Sequence, residues 1–351
     1  MNITAQSPGK IILSGEHAVV YGQPAIVAAV ARYTTVQFHP LSRGNSLRTA
    51  LAGIATGRRT PLSALQSLRD KLDARFEAFA KGNLAVKNIL QRPDDLMLYT
   101  LAQIAGHFLP TRDGEGRLRA GQLHTRSDLP LGAGMGSSAA IIAATMVLYE
   151  HLLNQPQSLA ERFARIRFCE RLQHGKGSAI DAAAVTYGGV QLLANQEPQP
   201  LDVSLKDCYW LLTGIPQSST GECVAAVREQ FGKDEALWQA FGACSAALQT
   251  GLQHQDTQAI TAAIDDNQSL LHRIGIVPPT SQAIIAAIKN SGGAAKISGA
   301  GSIRGDAGGM LLIYHQDEAA LRTLLEKDYP QLSWGRLQVA VEGAAIVSPH
   351  S

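Results

Sequence analysis

The stretch "LPLGAGMGSSAAIIAATMVLYEH", from Leu129 to His151, decides how the rest of the chain is interpreted. It has no charged residue from Leu129 to Tyr149, so its length alone allows a membrane-spanning helix. Its first part, however, holds three alternate glycines and two serines, and only Ala139 to Tyr149 is continuously hydrophobic. Such a run reaches only about half way across a bilayer core. We therefore expect a loop that turns into a buried helix at Ser137 or Ser138, with one of these serines as N-cap.

Composition narrows the class of protein. The chain has 351 residues, of which 45% are hydrophobic and 17% charged, with a net charge of +2, as in a globular protein of one large or two smaller domains. No basic block interleaved with aromatic residues occurs, so we expect neither nucleic acid nor a membrane surface as partner. The four cysteines form no metal-type pair and are interpreted as reduced thiols. Because "MNITAQSPGK" lacks the features of a targeting segment, we expect the protein in the cytoplasm.

The pattern along the chain predicts an α+β fold, because strands and helices alternate irregularly rather than in a doubly wound order. A Pro- and Gln-rich link at 195–200 divides the chain into predicted domains 1–195 and 196–351. The polar stretch 41–81, with a helix after Pro61, is interpreted as an insertion or lid. The further predicted strands are Ile11–Ser14, Pro24–Phe38, Leu118–Ser127, Cys208–Ile215, Leu311–His315 and Leu337–Ile346. The further predicted helices are Asp94–Phe108, a segment from Ser158 to Gly175, Ser178–Gly188, several helices up to Asn290, and Glu318–Lys327.

The glycines and serines of the opening stretch are suited to phosphate binding. Glycine lets the backbone approach an anion, and the free N–H groups and dipole of the following helix point toward it. The segment Gly132–Ser138, called here the glycine-serine loop, is neither a Walker loop nor a Rossmann fingerprint. A tight turn that only allows close packing is the open alternative.

Three segments in order resemble the three signature motifs of the GHMP kinases, the family of galactokinase, homoserine kinase, mevalonate kinase and phosphomevalonate kinase. They are the first motif "SPGKIILSGEHAVVYGQPAI" (Ser7–Ile26), the second "PLGAGMGSSAA" (Pro130–Ala140) and the third "KISGAGSIRGDAGG" (Lys296–Gly309). Within the first, "GEHAVVYG" is similar to the form found in mevalonate kinases. "CERLQHGKGSAIDAAAVTYGG", which contains Glu170 and Asp181, is also similar to that branch.

This resemblance implies a two-domain GHMP kinase fold, with an N-terminal domain like ribosomal protein S5 domain 2 and a ferredoxin-like C-terminal domain. It implies an enzyme that uses ATP and Mg²⁺, with mevalonate as the expected acceptor. Asp181 is then the group that accepts or orients the hydroxyl proton, and Lys10 lies beside it and favours its ionised form. Oxygen ligands suit Mg²⁺, and the implied pair is Ser138 and Glu170. The ATP-binding residues implied are Gly132, Ala133, Gly134, Met135, Gly136, Ser137 and Ser138, and the substrate-binding residues are Lys10, Glu16, His17, Asp181, Gly299 and Ala300.

Simpler interpretations of these residues stay open. Asp181 follows Ser178 at capping-box spacing and could stabilise only its own helix, and Glu170 could be a solvated helix residue. The chain also departs from the family pattern twice. Ser302 to Asp306 replace part of a run of glycines, so Arg304 either contacts a phosphate or pairs with Asp306, and Gln217 stands where mevalonate kinases tend to have Arg. The alternatives for function are a kinase for phosphomevalonate or a sugar and an inactive ligand sensor, and a homodimer is left open.

Overall fold

The computed structural model describes residues 2–53, 55–108, 118–130 and 132–347, which form two β-sheets and the helices packed on them. Leu131 of the second motif and residues 348–351 of the predicted second domain lie outside these ranges. The strands are β1 (Ile3–Ser14), β2 (Ala25–Pro40), β3 (Ser46–Leu51), β4 (Ala55–Pro61), β5 (Gly121–Ser127), β6 (Val190–Ala194), β7 (Glu197–Pro200), β8 (Cys208–Leu212), β9 (Ala294–Ser298), β10 (Met310–Tyr314), β11 (Ser333–Arg336) and β12 (Ala345–Val347). The helices are α1 (Leu65–Ala80), α2 (Asp95–Phe108), α3 (Ser137–Leu152), α4 (Leu159–His174), α5 (Ala179–Tyr187), α6 (Thr220–Phe231), α7 (Glu235–His254), α8 (Thr257–Arg273), α9 (Pro279–Asn290) and α10 (Glu318–Asp328).

The first sheet has the strand order β12-β1-β2-β5-β3-β4, and the hairpin β6–β7 adds to β2. The pair β3–β5 is parallel and the other pairs are antiparallel. From Ser7 to Ser14 every residue of β1 is buried, because neighbouring strands flank it and helices cover it. This buried stretch is continuously apolar only at Ile11–Leu13 and otherwise includes the polar residues Ser7, Lys10 and Ser14, so it carries polar groups into the interior.

Helix α3 is the central helix of this part of the molecule. It packs on β1 and β2 and is flanked by α2, α4 and α5, so eleven of its residues are buried and it is apolar on nearly all sides. It begins at Ser137, as predicted, but the predicted serine N-cap is wrong. The N-cap is Gly136, in the left-handed conformation with φ +74°, and no side chain caps the helix. None of the helices in the described ranges is long and apolar enough to span a bilayer.

The second sheet has the order β11-β8-β10-β9, all antiparallel. A separate apolar cluster joins it to α7, α8, α9 and α10 through side chains such as Phe241, Leu271, Ile284 and Leu321. Helices pack against both sheets, and the fold belongs to the α+β class, as predicted.

Several elements match the sequence-based expectation, and three do not. The predicted capping box of Ser158 with Glu161 is formed, as is the predicted stop at Gly175. The segment 41–81 is not a separate lid, because β3 and β4 belong to the first sheet. The link at 195–200 is wrong, since β7 pairs with β6 there, and the strand predicted at 337–346 is wrong in its position, since β11 ends before it and β12 begins at Ala345. The division of the chain at residue 195 stays a prediction.

Candidate active site

Lys10 and Asp181 form a buried ion pair. Lys10 Nζ lies 2.9 Å from Asp181 Oδ1, and the two side chains are only 5% and 14% exposed. Lys10 comes from β1 and Asp181 from the first turn of α5, where the Asp181 N–H donates to Ser178 Oγ over 3.2 Å. The structure therefore brings the predicted catalytic pair together, 171 positions apart in the chain.

The charge of Asp181 depends on Lys10. Burial alone would raise the pKa of Asp181, but the charge and hydrogen bond of Lys10, together with His174 and Ser178, outweigh burial, so the pKa lies below its ordinary value. The carboxyl is therefore ionised at neutral pH. The Ser178 N–H, which a capping-box carboxylate would accept, donates instead to Glu170 Oε2 over 3.2 Å. The side chain of Asp181 is thus aimed at Lys10 rather than back at its own helix.

Ser138, Glu170 and His174 form a second polar group beside this pair. Ser138 Oγ donates to Glu170 Oε1 over 3.2 Å and lies 3.4 Å from His174 Nε2. Glu170 is completely buried, so the solvated-helix interpretation is wrong, and burial together with the charge of Asp181 raises its pKa. His174 was not predicted. It lies on α4 four residues after Glu170, a spacing that places two side chains on the same helix face.

The Ser138–Glu170 group offers hard oxygen donors of the kind that Mg²⁺ prefers. One carboxylate oxygen of Glu170 is held by a backbone N–H and the other faces the hydroxyl of Ser138. Across the described ranges no group of three or more His, Cys, Asp or Glu side chains is arranged to hold a metal ion. A divalent cation at Ser138 and Glu170 therefore needs phosphate and water oxygens to complete its coordination.

The glycine-serine loop lies directly on the ion pair. Its glycines at 132, 134 and 136 have φ values of +72°, +89° and +74°. A Cβ built at Gly136 would lie 2.8 Å from Lys10 Cγ and 3.4 Å from Asp181 Oδ1, so only glycine fits without displacement. Ala133 and Met135 are buried, the Ala133 N–H donates to the Pro130 carbonyl over 3.5 Å, and the Met135 carbonyl accepts the Lys10 N–H over 3.0 Å, which ties the loop to β1. The first N–H groups of α3 have no side-chain cap, as an anion site at a helix N-terminus requires.

The predicted substrate residues Glu16 and His17 lie against the third motif. Glu16 forms an ion pair with Lys296 in which both side chains are almost completely buried. His17 Nε2 lies 3.2 Å from the carbonyl oxygen of Ala300, and burial lowers the pKa of His17 to about 4. Lys296 was not predicted as a site residue. The available signal was a single lysine inside the apolar strand sequence "AAKIS".

The two departures from the family pattern lie in contact with each other. Arg304 does not pair with Asp306, since its Nη2 donates to Glu222 Oε1 over 2.8 Å at the surface. Ser302 Oγ accepts the N–H of Ser218 over 3.2 Å. A Cβ at Gly305 would lie 2.5 Å from Cδ of Gln217. The enlarged loop and the segment around Gln217 therefore pack against each other, with Ser218 and Ser302 buried and Arg304 at the surface.

Comparison with known proteins gives the family context. Residues 96–189 match the model of the GHMP kinases N terminal domain. A mevalonate kinase of Archaeoglobus fulgidus is 27% identical over 298 residues, which cover 85% of this chain and 88% of that protein. A crystal structure of the Methanococcus jannaschii mevalonate kinase superposes with a TM-score of 0.76 at 21% identity, covering 96% of this chain and 99% of the other. A galactokinase of Lactococcus lactis, solved with galactose, gives 0.73 at 14% identity, covering 98% and 95%.

Proposed function

We propose that the chain is a GHMP kinase and, within that family, a mevalonate kinase, which transfers the γ-phosphoryl group of ATP to the 5-hydroxyl of mevalonate. The observation that carries this proposal is the buried Lys10–Asp181 pair at the glycine-serine loop. Relatives over most of the chain's length are mevalonate kinases, whereas the fold alone is shared with a galactokinase. The proposed acceptor therefore rests on sequence similarity to mevalonate kinases, and the proposed reaction rests on the geometry of the site.

The residues support transfer by positioning and electrostatics. The acceptor hydroxyl oxygen forms a bond to the γ-phosphorus, the bond to the β,γ-bridging oxygen breaks, ADP leaves, and the hydroxyl proton passes to Asp181. An ionised Asp is a weak base, so most of the rate comes from orientation and charge stabilisation. Lys10 keeps Asp181 ionised and adds positive charge next to the glycine-serine loop.

We infer that Ser138 and Glu170 hold Mg²⁺ when nucleotide is bound. The ion would neutralise charge on the transferring phosphoryl group. Glu170 suits this role by position, since its Oε1 lies 3.2 Å from Ser138 Oγ; burial raises the pKa of its carboxyl, and a bound cation would shift it toward the ionised form. The four buried thiols are compatible with a cytoplasmic location, which stays part of the proposal together with the open question of a homodimer.

The test is ADP release by the purified protein with Mg-ATP and, separately, mevalonate, phosphomevalonate, homoserine and galactose. Turnover that depends on mevalonate and is lost in Asp181→Asn is the expected result. Turnover with another acceptor only would overturn the assignment of the acceptor and keep the family. Absence of turnover with all four acceptors, despite nucleotide binding, would favour the ligand-sensor alternative, which the intact Lys10–Asp181 pair argues against.

A further inference from the structure

Three alternate residues of the third motif are tied to the first motif. Lys296 forms the ion pair with Glu16, Ser298 Oγ accepts the Ile12 N–H over 2.8 Å, and the carbonyl of Ala300 lies 3.2 Å from His17 Nε2. The contacts follow β9 to its end and continue into the loop beyond it. Ile12 lies two residues after Lys10 on the same strand. The path of the third loop is thus fixed relative to the strand that carries Lys10.

The energetics of the Glu16–Lys296 pair point to a role other than stability. Lys296 is 0% and Glu16 1% exposed, and Lys296 Nζ also donates to the carbonyl of Ile297 over 2.7 Å. Oε2 of Glu16 is buried and has no hydrogen-bond partner. Removing two charges from water costs several kcal/mol each, and an apolar pair of similar volume is often as stable or more so. Such a pair contributes most where it fixes one arrangement of the elements it joins.

The elements joined here lead directly to the proposed site. After Ser298 the backbone turns through Gly299 and Gly301, with φ values of +112° and +67°. A Cβ at Gly134 would lie 3.5 Å from the carbonyl oxygen of Ser298, so this turn lies beside the glycine-serine loop. The turn itself contains Gly299 and Ala300, which are expected to bind the acceptor, so a shift of the turn would move these two residues relative to the glycine-serine loop.

We propose that Glu16, Lys296 and His17 form a latch that holds the turn Gly299–Gly301 beside the glycine-serine loop, where Gly299 and Ala300 are expected to meet the acceptor. Glu16 and His17 then act on the acceptor through this turn rather than by touching it. They are positioning residues, and Lys296 joins β9 to the first motif through Glu16. The inference rests on the proposed kinase function for its kinetic test but not for its structural one.

The test compares Glu16→Gln, Lys296→Met and the double variant. Each single change leaves one buried group without its partner, so these proteins lose stability, whereas the double variant removes both charges at nearly constant volume. For the double variant we expect KM for the acceptor to rise about fivefold or more, kcat to change less than about twofold, and ADP affinity to stay the same. The double variant should have a KM less than about twofold above that of Lys296→Met alone, because the single change has already broken the Glu16–Lys296 pair. Lys289→Met is the matched control, since Lys289 is exposed and pairs with Asp265 at the surface.

Hydrogen exchange gives a readout that does not need the acceptor. In the double variant the Ser302 N–H, which donates to the Ile276 carbonyl over 2.9 Å, should exchange faster by about tenfold or more, while α3 keeps its protection. Unchanged KM and unchanged exchange in the double variant would overturn the latch. A further rise in KM when Glu16→Gln is added to Lys296→Met would also overturn it, because Glu16 would then contact the acceptor itself. Failure of the proposed function appears elsewhere, as absent turnover in the unaltered protein.

Discussion

At the scale of single residues, the site depends on charges that the fold places next to each other and shields from water. Ser178 caps α5 and sets the direction of its first turn, and this local relation is legible in the sequence. The 2.9 Å approach of Lys10 to Asp181 is not, since it depends on how β1 and α5 pack. The resemblance to GHMP kinases predicted both residues as parts of the site. Without that resemblance, the spacing of Ser178 and Asp181 is explained equally well by a residue that only stabilises its own helix.

Asp181→Asn separates the catalytic role from a structural one. The amide keeps the shape of the side chain but cannot take the hydroxyl proton, so kcat should fall about 100-fold or more. ADP affinity should change less than about threefold, because the glycine-serine loop is unaltered. Steady-state kinetics and equilibrium ADP binding measure the two quantities.

Ser178→Ala is the matched control for that experiment. It removes the hydroxyl that accepts the Asp181 N–H and should cost about 1 kcal/mol of unfolding free energy, with kcat within about threefold of the unaltered protein. If Ser178→Ala loses as much activity as Asp181→Asn, helix integrity rather than the carboxylate is what the site requires.

His17 predicts a pH dependence of stability. Burial depresses its pKa to about 4 in the folded protein, so between about pH 4 and 6.5 the unfolded chain binds more protons than the folded one. Its contribution is present above pH 6.5 and is lost as the pH falls, by about 3 kcal/mol in total. Urea unfolding of the unaltered protein and of His17→Gln at pH 7 and pH 4.5 isolates this contribution. Equal pH dependence of the two proteins would contradict it.

At the scale of elements, the glycine-serine loop and α3 form a unit in which a glycine does what a serine was expected to do. Gly136 ends the loop in the left-handed conformation and leaves Ser138 free to turn toward Glu170. A serine cap would have occupied the N–H groups that face the site. The rule that favours serine at the N-cap concerns helix stability, and the proposed function accounts for the exception, because uncapped N–H groups are what a phosphate would bind.

Gly136→Ala should harm the protein more than a glycine replacement elsewhere with the same backbone conformation. Both Gly136 and Gly82 have φ near +75°, so alanine costs about 1 kcal/mol at either position. Only at Gly136 does the new Cβ press on Lys10 and Asp181, whereas Gly82 has open space. We therefore expect Gly136→Ala to lose stability beyond the Gly82→Ala control and to lower kcat about tenfold or more.

Denaturant unfolding and steady-state kinetics of Gly136→Ala and Gly82→Ala test this expectation. Equal losses in stability, with activity retained in both, would show that the contact at Gly136 is relieved without consequence for the ion pair.

Elements with local signals were predictable, and elements defined by distant partners were not. Ser158 and Glu161 mark the start of α4 and Gly175 marks its end, and each signal lies next to the end that it defines, so both ends could be predicted from the sequence. β7 contains two prolines among four residues and looks like a linker, but it is an edge strand, where proline is tolerated. Lys296 looks out of place in an apolar strand until Glu16, 280 positions earlier, is brought beside it.

At the scale of the whole molecule, one large apolar core joins parts of the chain on both sides of residue 195. It includes Leu248 and Leu252 of α7, Ile260 of α8 and Leu312 of β10, together with residues of β1 and α3. A smaller second core lies on the other face of the second sheet. Packing shared to this extent favours unfolding of both sheets together.

The four cysteines test this cooperativity. All are buried and free, and burial raises the pKa of Cys169 and Cys208 to about 12, so a thiol reagent at pH 8 should scarcely label the native protein. Cys169 lies before residue 195 and the others after it. In increasing urea we expect all four to become reactive at one midpoint, as measured by pulse labelling and mass spectrometry. A separate midpoint for Cys169 would show two independently unfolding domains instead.

The pairing of β12 with β1 has a consequence for synthesis on the ribosome. Thr4 lies opposite Val347, and the segment before β12 also binds β2, where the Ala340 N–H donates to the Ala29 carbonyl. While the polypeptide is being translated, β1 therefore keeps an unpaired edge until almost the last described residue has emerged. Such an edge is open to pairing with other nascent chains. Ribosome-bound fragments that stop at residue 330 should accordingly aggregate more readily, and resist protease less, than fragments that include residue 347.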